Sequence, residues 1–214
     1  MMDASFVDLP WDILEQFTSL KCRLVCKKWN EIYIICNKLR INNTINNDEF
    51  LMIYEPHIAK VNLQKNAYIY YIPYKIEVLC VDRYSNITNK YLQQLTLLKE
   101  LYLNNNTSIT NNGIKDLISL TCLECNTNIN NTGISNLENL KYLSLRYNDS
   151  TITNRGLMQL SALTQLDLSN NTSITNNALY SLPCLKSITV NNITSLTSTG
   201  VKYLLGQNVN IYNS

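Results

Sequence analysis

The chain has a single histidine, His57, beside Pro56. Any Ser–His or Cys–His nucleophile would have to recruit it, and no supporting motif surrounds it. Cys122 and Cys125 have the CxxC spacing that serves dithiol redox chemistry or half of a zinc site. Cys22 and Cys26 stand four residues apart, one helical turn, but no second ligand pair accompanies them. Five glycines in the whole chain leave no phosphate-binding loop and no dinucleotide fingerprint. The residue types therefore predict no catalytic residue, no metal and no cofactor, and the chain reads as a non-enzyme.

Charge and cysteine usage narrow the class further. Formal net charge is only +2, which exerts no general pull on nucleic acid or anionic lipid. The basic run Lys21, Arg23, Lys27 and Lys28 reads as a solvated helix face, because no basic stripe or interleaved aromatics continue it. Apolar stretches such as Ile32 to Cys36 fall far short of the roughly 18 residues of a spanning helix. Asp3 and Asp8 sit where a secretory leader would be basic and then apolar. Seven cysteines, an odd number, then read as reduced thiols. A cytoplasmic or nuclear, non-secreted protein is expected.

The dominant signal is an internal repeat. Leu98, Leu101, Leu103 and Asn106 spell LxxLxLxxN. The same frame recurs at Leu140, Leu143, Leu145 and Asn148, and at Leu163, Leu166, Leu168 and Asn171. Leu120, Leu123, Cys125 and Asn128 fit it with Cys125 as a small hydrophobe. Ile76, Leu79 and Val81, and Leu185, Ile188 and Val190, keep the apolar positions only. A second block, ITNxGLxxL, follows at Ile109 to Leu117, Ile129 to Leu137, Ile152 to Leu160, Ile174 to Leu182 and Leu196 to Leu204, with a weaker copy from Ile87 to Leu95. Starts at residues 76, 98, 120, 140, 163 and 185 give steps of 22, 22, 20, 23 and 22. Ile58, Val61, Leu63 and Asn66 match the first block fully, with an eroded second half, and Cys36, Leu39, Ile41 and Thr44 match it loosely, extending the frame backwards. Val209 and Ile211 suit a last edge strand.

The frame has a direct physical meaning. Positions 4 and 6 alternate with polar residues, so they point inward from a short strand. One repeat cannot bury that face alone, and stacking neighbours does it for all. The Asn at position 9 turns inward to bond backbone groups of the bend. Gly113, Gly133, Gly156 and Gly200 suit a tight return before a short helical turn. The CxxC motif then divides: Cys125 at position 6 faces the core and Cys122 at position 3 faces the strand surface.

The pattern resembles leucine-rich repeats of the ITDxGLxxL kind, with Asn here in place of the usual Asp and Ala178 in place of one Gly. The fold class implied is α/β: a leucine-rich-repeat solenoid with a curved parallel sheet and short helices or turns on its convex side. Residues 8–33 differ. Leu9-Pro10-Trp11-Asp12-Ile13-Leu14 and Arg23-Leu24-Val25-Cys26-Lys27-Lys28-Trp29 resemble the opening and closing of an F-box, in a copy shortened between Phe17 and Leu20. Domains follow as an F-box-like helical segment over 1–35, degenerate repeats over 36–75 and the solenoid over 76–214. The segment over 1–35 also reads as a small helical cap on the first repeat.

The resemblance implies that Leu9, Pro10, Ile13, Leu14, Val25 and Trp29 dock an SCF adaptor protein. It also implies a substrate-receptor subunit of a cullin-type ubiquitin ligase; a stand-alone interaction protein is the alternative. The repeat frame places Tyr102, Glu124, Tyr142, Arg146, Tyr147 and Asp167 on the concave strand face, where a protein target would bind. Tyrosine and arginine are the types that dominate interface hot spots. Neither nucleic acid nor membrane is expected as a partner.

Overall fold

The computed structural model describes residues 76–213, other than 84, 86, 104–105, 126, 147, 149–150 and 194, with the backbone of three strands at 32–35, 38–41 and 60–63. Leu9 to Trp29, which carry the F-box resemblance, and His57 lie outside the described residues. So does Tyr147.

Strands β1 (Ile32–Ile35), β2 (Lys38–Ile41), β3 (Lys60–Leu63) and β4 (Val78–Val81) precede β5 (Glu100–Tyr102), β6 (Cys122–Glu124), β7 (Tyr142–Ser144), β8 (Gln165–Asp167), β9 (Ser187–Thr189) and β10 (Asn210–Tyr212). They form one sheet in chain order. The β1–β2 pair is antiparallel and every later neighbour is parallel. One row of residues runs through the register: Leu39, Val61, Leu79, Leu101, Leu123, Leu143, Leu166, Ile188 and Ile211. Parallel strands need a crossover, and from β4 onward each described crossover carries a short helix. The turns are α1 (Asn89–Leu92), α2 (Asn111–Ile114), α3 (Asn131–Ile134), α4 (Asn154–Leu157) and α5 (Asn176–Leu179), followed by a longer α6 (Ser198–Gly206).

Burial explains the frame. Leu101, Leu123 and Leu143 at position 4, and Leu103 and Cys125 at position 6, are fully buried. They pack against Ile109, Ile114, Ile129, Ile134, Leu157 and Leu160 from the turns in one continuous core. Each such leucine contributes about 1.5–3 kcal/mol of apolar burial. The turns thus cover one face of the sheet, and the other stays open.

Two asparagine ladders bind repeat to repeat. The expected one lies at the bend. Asn106 Oδ1 accepts from the amides of Ser108 and Ile109, both at 3.0 Å, while its Nδ2 donates to Asp82 O. Asn171 does the same for Ser173 and Ile174, with Nδ2 to Asn148 O. Asn128 departs from the expectation: its side chain is exposed and donates to Thr107 O. This repeat is two residues short between Cys125 and Ile129, so Asn128 immediately precedes the isoleucine and cannot fold back under the bend.

The second ladder opens each helical turn. Asn89, Asn131, Asn154 and Asn176 each accept the amide of a threonine in the next repeat, at 2.9–3.1 Å. Each also donates Nδ2 to that threonine's Oγ1, at 2.7–3.0 Å. Those threonines (Thr110, Thr153, Thr175 and Thr197) occupy N-cap positions yet make no cap bond to their own turn. Their hydroxyls serve the neighbouring repeat instead. In the short repeat Asn130 replaces the threonine and does cap its own turn, through Thr132 N.

The glycines have a different reason from the tight return expected of them. No described glycine has positive φ. A Cβ at Gly113 would stand 2.6 Å from Asn89 Oδ1, and one at Gly156 would stand 2.5 Å from Asn131 Oδ1. The ladder asparagine occupies the space a side chain needs. Positive φ falls instead on asparagines, Asn170, Asn192 and Asn208. Asn208 ends α6 in a Schellman motif, with its own N–H on Leu205 O and that of Val209 on Leu204 O.

Candidate functional site

The outward positions of each strand form two rows on the open face. Register aligns Glu100, Cys122, Tyr142, Gln165 and Ser187 in one row and Tyr102, Glu124, Ser144, Asp167 and Thr189 in the other. Four of the expected residues, Tyr102, Glu124, Tyr142 and Asp167, are thereby brought together on β5 to β8. Arg146 is exposed just past the end of β7. Ser144 lies in an outward row but is only 3% exposed, so its neighbours close over it.

Side-chain bonds brace the face, within strands and once from one strand to the next. Tyr102 donates its hydroxyl to Glu100 Oε2 at 3.0 Å, and the Cys122 thiol donates to Tyr102 Oη at 3.4 Å. Asp167 Oδ1 accepts both the amide and the hydroxyl of Ser169, at 2.9 and 2.6 Å. Burial pushes the Tyr102 phenol well above its ordinary range, and its partners Cys122 and Glu100 push it the same way. Tyr142 is raised by burial first and then by the negative charges of Asp167 and Glu124. Both tyrosines stay neutral donors, and the carboxylates around them set the sign of the face. Cys122 was expected only as strand surface. Its bond to Tyr102 is missed by reading along one strand, because the partner lies in the previous repeat.

Cys125 is fully buried and Cys122 half-buried on the opposite side of the sheet. The two thiols diverge, so the CxxC spacing cannot chelate one ion or close a disulfide. Burial raises both thiols, Cys125 the more completely enclosed. No cluster of three metal-type ligands occurs among the described residues. None of the described helices is long and apolar enough to cross a membrane.

A leucine-rich-repeat family model matches residues 94–117, 136–161 and 159–182. No curated protein matches. Among solved structures, internalin C2 of Listeria monocytogenes aligns over 83% of this chain and 80% of its own, with TM-score 0.56 and 23% identity. The fold is a leucine-rich-repeat solenoid. A leucine-rich-repeat protein of Leptospira interrogans aligns with TM-score 0.58 and 23% identity, over 82% of this chain but 47% of that one. A complex of TLR13 with single-stranded RNA aligns with TM-score 0.58 and 17% identity, over 80% of this chain and 31% of that one.

Proposed function

We propose that this chain is a protein-binding scaffold that holds a target on the open strand face. We further propose that residues 1–35 tie it to the adaptor of a cullin-type (SCF) ubiquitin ligase, as a substrate receptor acting in the cytoplasm or nucleus. The observation that carries the first part is the face itself: Tyr102 and Tyr142 among Glu100, Glu124 and Asp167, on a rigid ladder of strands. Tyrosines of this kind anchor protein interfaces. One solenoid neighbour is solved with single-stranded RNA; on this chain the carboxylates of the same face would repel phosphate, which favours a protein target. The second part rests on the F-box resemblance of Leu9, Pro10, Ile13, Leu14, Val25 and Trp29. The ligase chemistry would belong to other subunits, so the chain itself is no enzyme.

The shortening between Phe17 and Leu20 favours a second reading, a stand-alone interaction protein without a ubiquitin role. Affinity capture separates them. Wild type recovers adaptor and cullin on the first reading, and a chain lacking residues 1–33 does not. Absence of both from the wild-type capture leaves only the second reading. On either, Tyr142→Ala with Arg146→Glu abolishes target recovery; retention of the target by that double variant refutes the face.

A further inference from the structure

The helical side of the solenoid, away from the strand face, holds a hollow of about 550 Å³ between α3 and α4. That volume lies within the roughly 300–1,000 Å³ of small-molecule sites. The sequence accounts for the space. Ser135 lines it, and the equivalent place in the other second blocks holds Gln93, Lys115, Met158, Tyr180 or Lys202, all much larger. Arg155 lines it from α4. At its place the other blocks hold Asn112, Thr132, Asn177 and Thr199, and only the weaker first copy has a cation, Lys90.

The donors left open in the hollow are few. Arg155 is the only ionisable residue in the lining, and it makes no hydrogen bond or ion pair with a described residue. The Gln159 amide group makes no hydrogen bond with one either. Asn130 Oδ1 accepts from the amide and the hydroxyl of Thr132, at 2.9 and 2.8 Å, which leaves its Nδ2 unengaged. The other polar protons of the lining are engaged within the protein. Ser135 Oγ donates to Thr132 O at 3.2 Å, Thr151 Oγ1 donates to Ile129 O, and Asn131 gives both ends to Thr153. Three open donor groups, one of them a guanidinium, with no carboxylate in the lining, suit a ligand that is an anion with several acceptor oxygens. The engaged hydroxyls keep lone pairs that can accept from hydroxyl groups on the same ligand.

We propose that this hollow binds the phosphate group of a small hydroxyl-bearing molecule, such as a sugar phosphate. A phosphate monoester presents three terminal oxygens to the three donor groups, where a carboxylate presents two. The guanidinium fork of Arg155 takes two of those oxygens at once. The site is independent of the strand face and stands whether or not that face holds a target.

An amide NMR titration of the whole chain at constant ionic strength tests this. The probes are inorganic phosphate, glucose 6-phosphate and acetate, against wild type, Arg155→Gln and Ser135→Tyr. Glutamine removes the charge, and tyrosine refills the hollow with the side chain that a later block carries at Tyr180. In wild type both phosphates give saturable shifts at Thr132, Gly156 and Gln159, glucose 6-phosphate binds the tighter, and acetate binds at least tenfold more weakly. Each variant keeps the wild-type spectrum elsewhere and weakens both phosphates at least tenfold. Wild-type shifts that do not saturate, or that fall outside the hollow, overturn the site whatever the variants do. Equal affinity in Arg155→Gln overturns it too. Acetate as tight as phosphate overturns the assignment to phosphate, and glucose 6-phosphate no tighter than inorganic phosphate overturns the hydroxyl-bearing ligand.

Discussion

Replacing Asn131 by alanine tests the ladder that joins the helical turns. Asn131 Oδ1 accepts the Thr153 amide at 2.9 Å, and its Nδ2 donates to Thr153 Oγ1 at 3.0 Å. Alanine removes both bonds and strands a partly buried amide. One net hydrogen bond contributes about 1 kcal/mol, and an orphaned buried donor adds about 1–3 kcal/mol, so a loss of about 2–3 kcal/mol follows. For a chain of this length that lowers Tm by about 5–10 °C. Asn131→Asp behaves differently. It keeps the acceptor for the amide, and the Thr153 hydroxyl rotates to donate to the second carboxylate oxygen. Near neutral pH it costs under about 1 kcal/mol. Thr153→Ala in both backgrounds closes a double-mutant cycle with a coupling of about 1 kcal/mol. Calorimetric and urea melts of the cycle's four chains and of the aspartate variant read these values. An Asn131→Ala chain melting within 1 °C of wild type refutes the ladder as a source of stability, and an aspartate variant as damaged as the alanine one refutes the role assigned to the acceptor.

Two further outcomes follow from burial. Among the described cysteines, alkylation mapped by mass spectrometry should label exposed Cys184 rapidly, while buried Cys125 reacts only as the fold opens; Cys125→Ser should cost about 1–3 kcal/mol by burying a hydroxyl without an assured partner. Tyr102 and Tyr142 are both raised, chiefly by burial, so the fold favours their neutral forms. That contribution is fully present below the free phenol value near 10 and is lost as pH climbs beyond it. Urea midpoints measured between pH 8 and 11 should therefore fall at the alkaline end, and Tyr102→Phe with Tyr142→Phe should flatten the fall; an unchanged slope contradicts the assignment.

The strands and core were legible because their rule is local. Alternation around Leu101, Leu123, Leu143 and Leu166 predicts which side chains turn inward, and the repeat spacing predicts that they stack. What escaped was every contact whose partner sits one repeat away. Asn131 reads as one letter of a motif until Thr153, 22 residues later, is seen against it. The glycines read as hinges for the same reason, when the atom they make room for belongs to the preceding repeat. Asn128 was misplaced because a fixed count from Leu120 ignores the two missing residues after Cys125. The open face was legible as rows of residues, but the bond from Cys122 to Tyr102 depends on cross-strand geometry.

The uneven steps fall in one place. The run from Ile109 to Leu120 has the same length as those from Ile129 to Leu140, Ile152 to Leu163 and Ile174 to Leu185, whereas the bend from strand to isoleucine varies. Inheritance can therefore act on this molecule by whole units. Unequal exchange between repeats that share one frame would add or delete one rung, lengthening or shortening the sheet by a single strand spacing, about 4.8 Å, with every remaining rung meeting the same kind of neighbour. Slips of one or two codons would be absorbed at the bend. Such a lineage can change the span of what it grips faster than it can change how it folds.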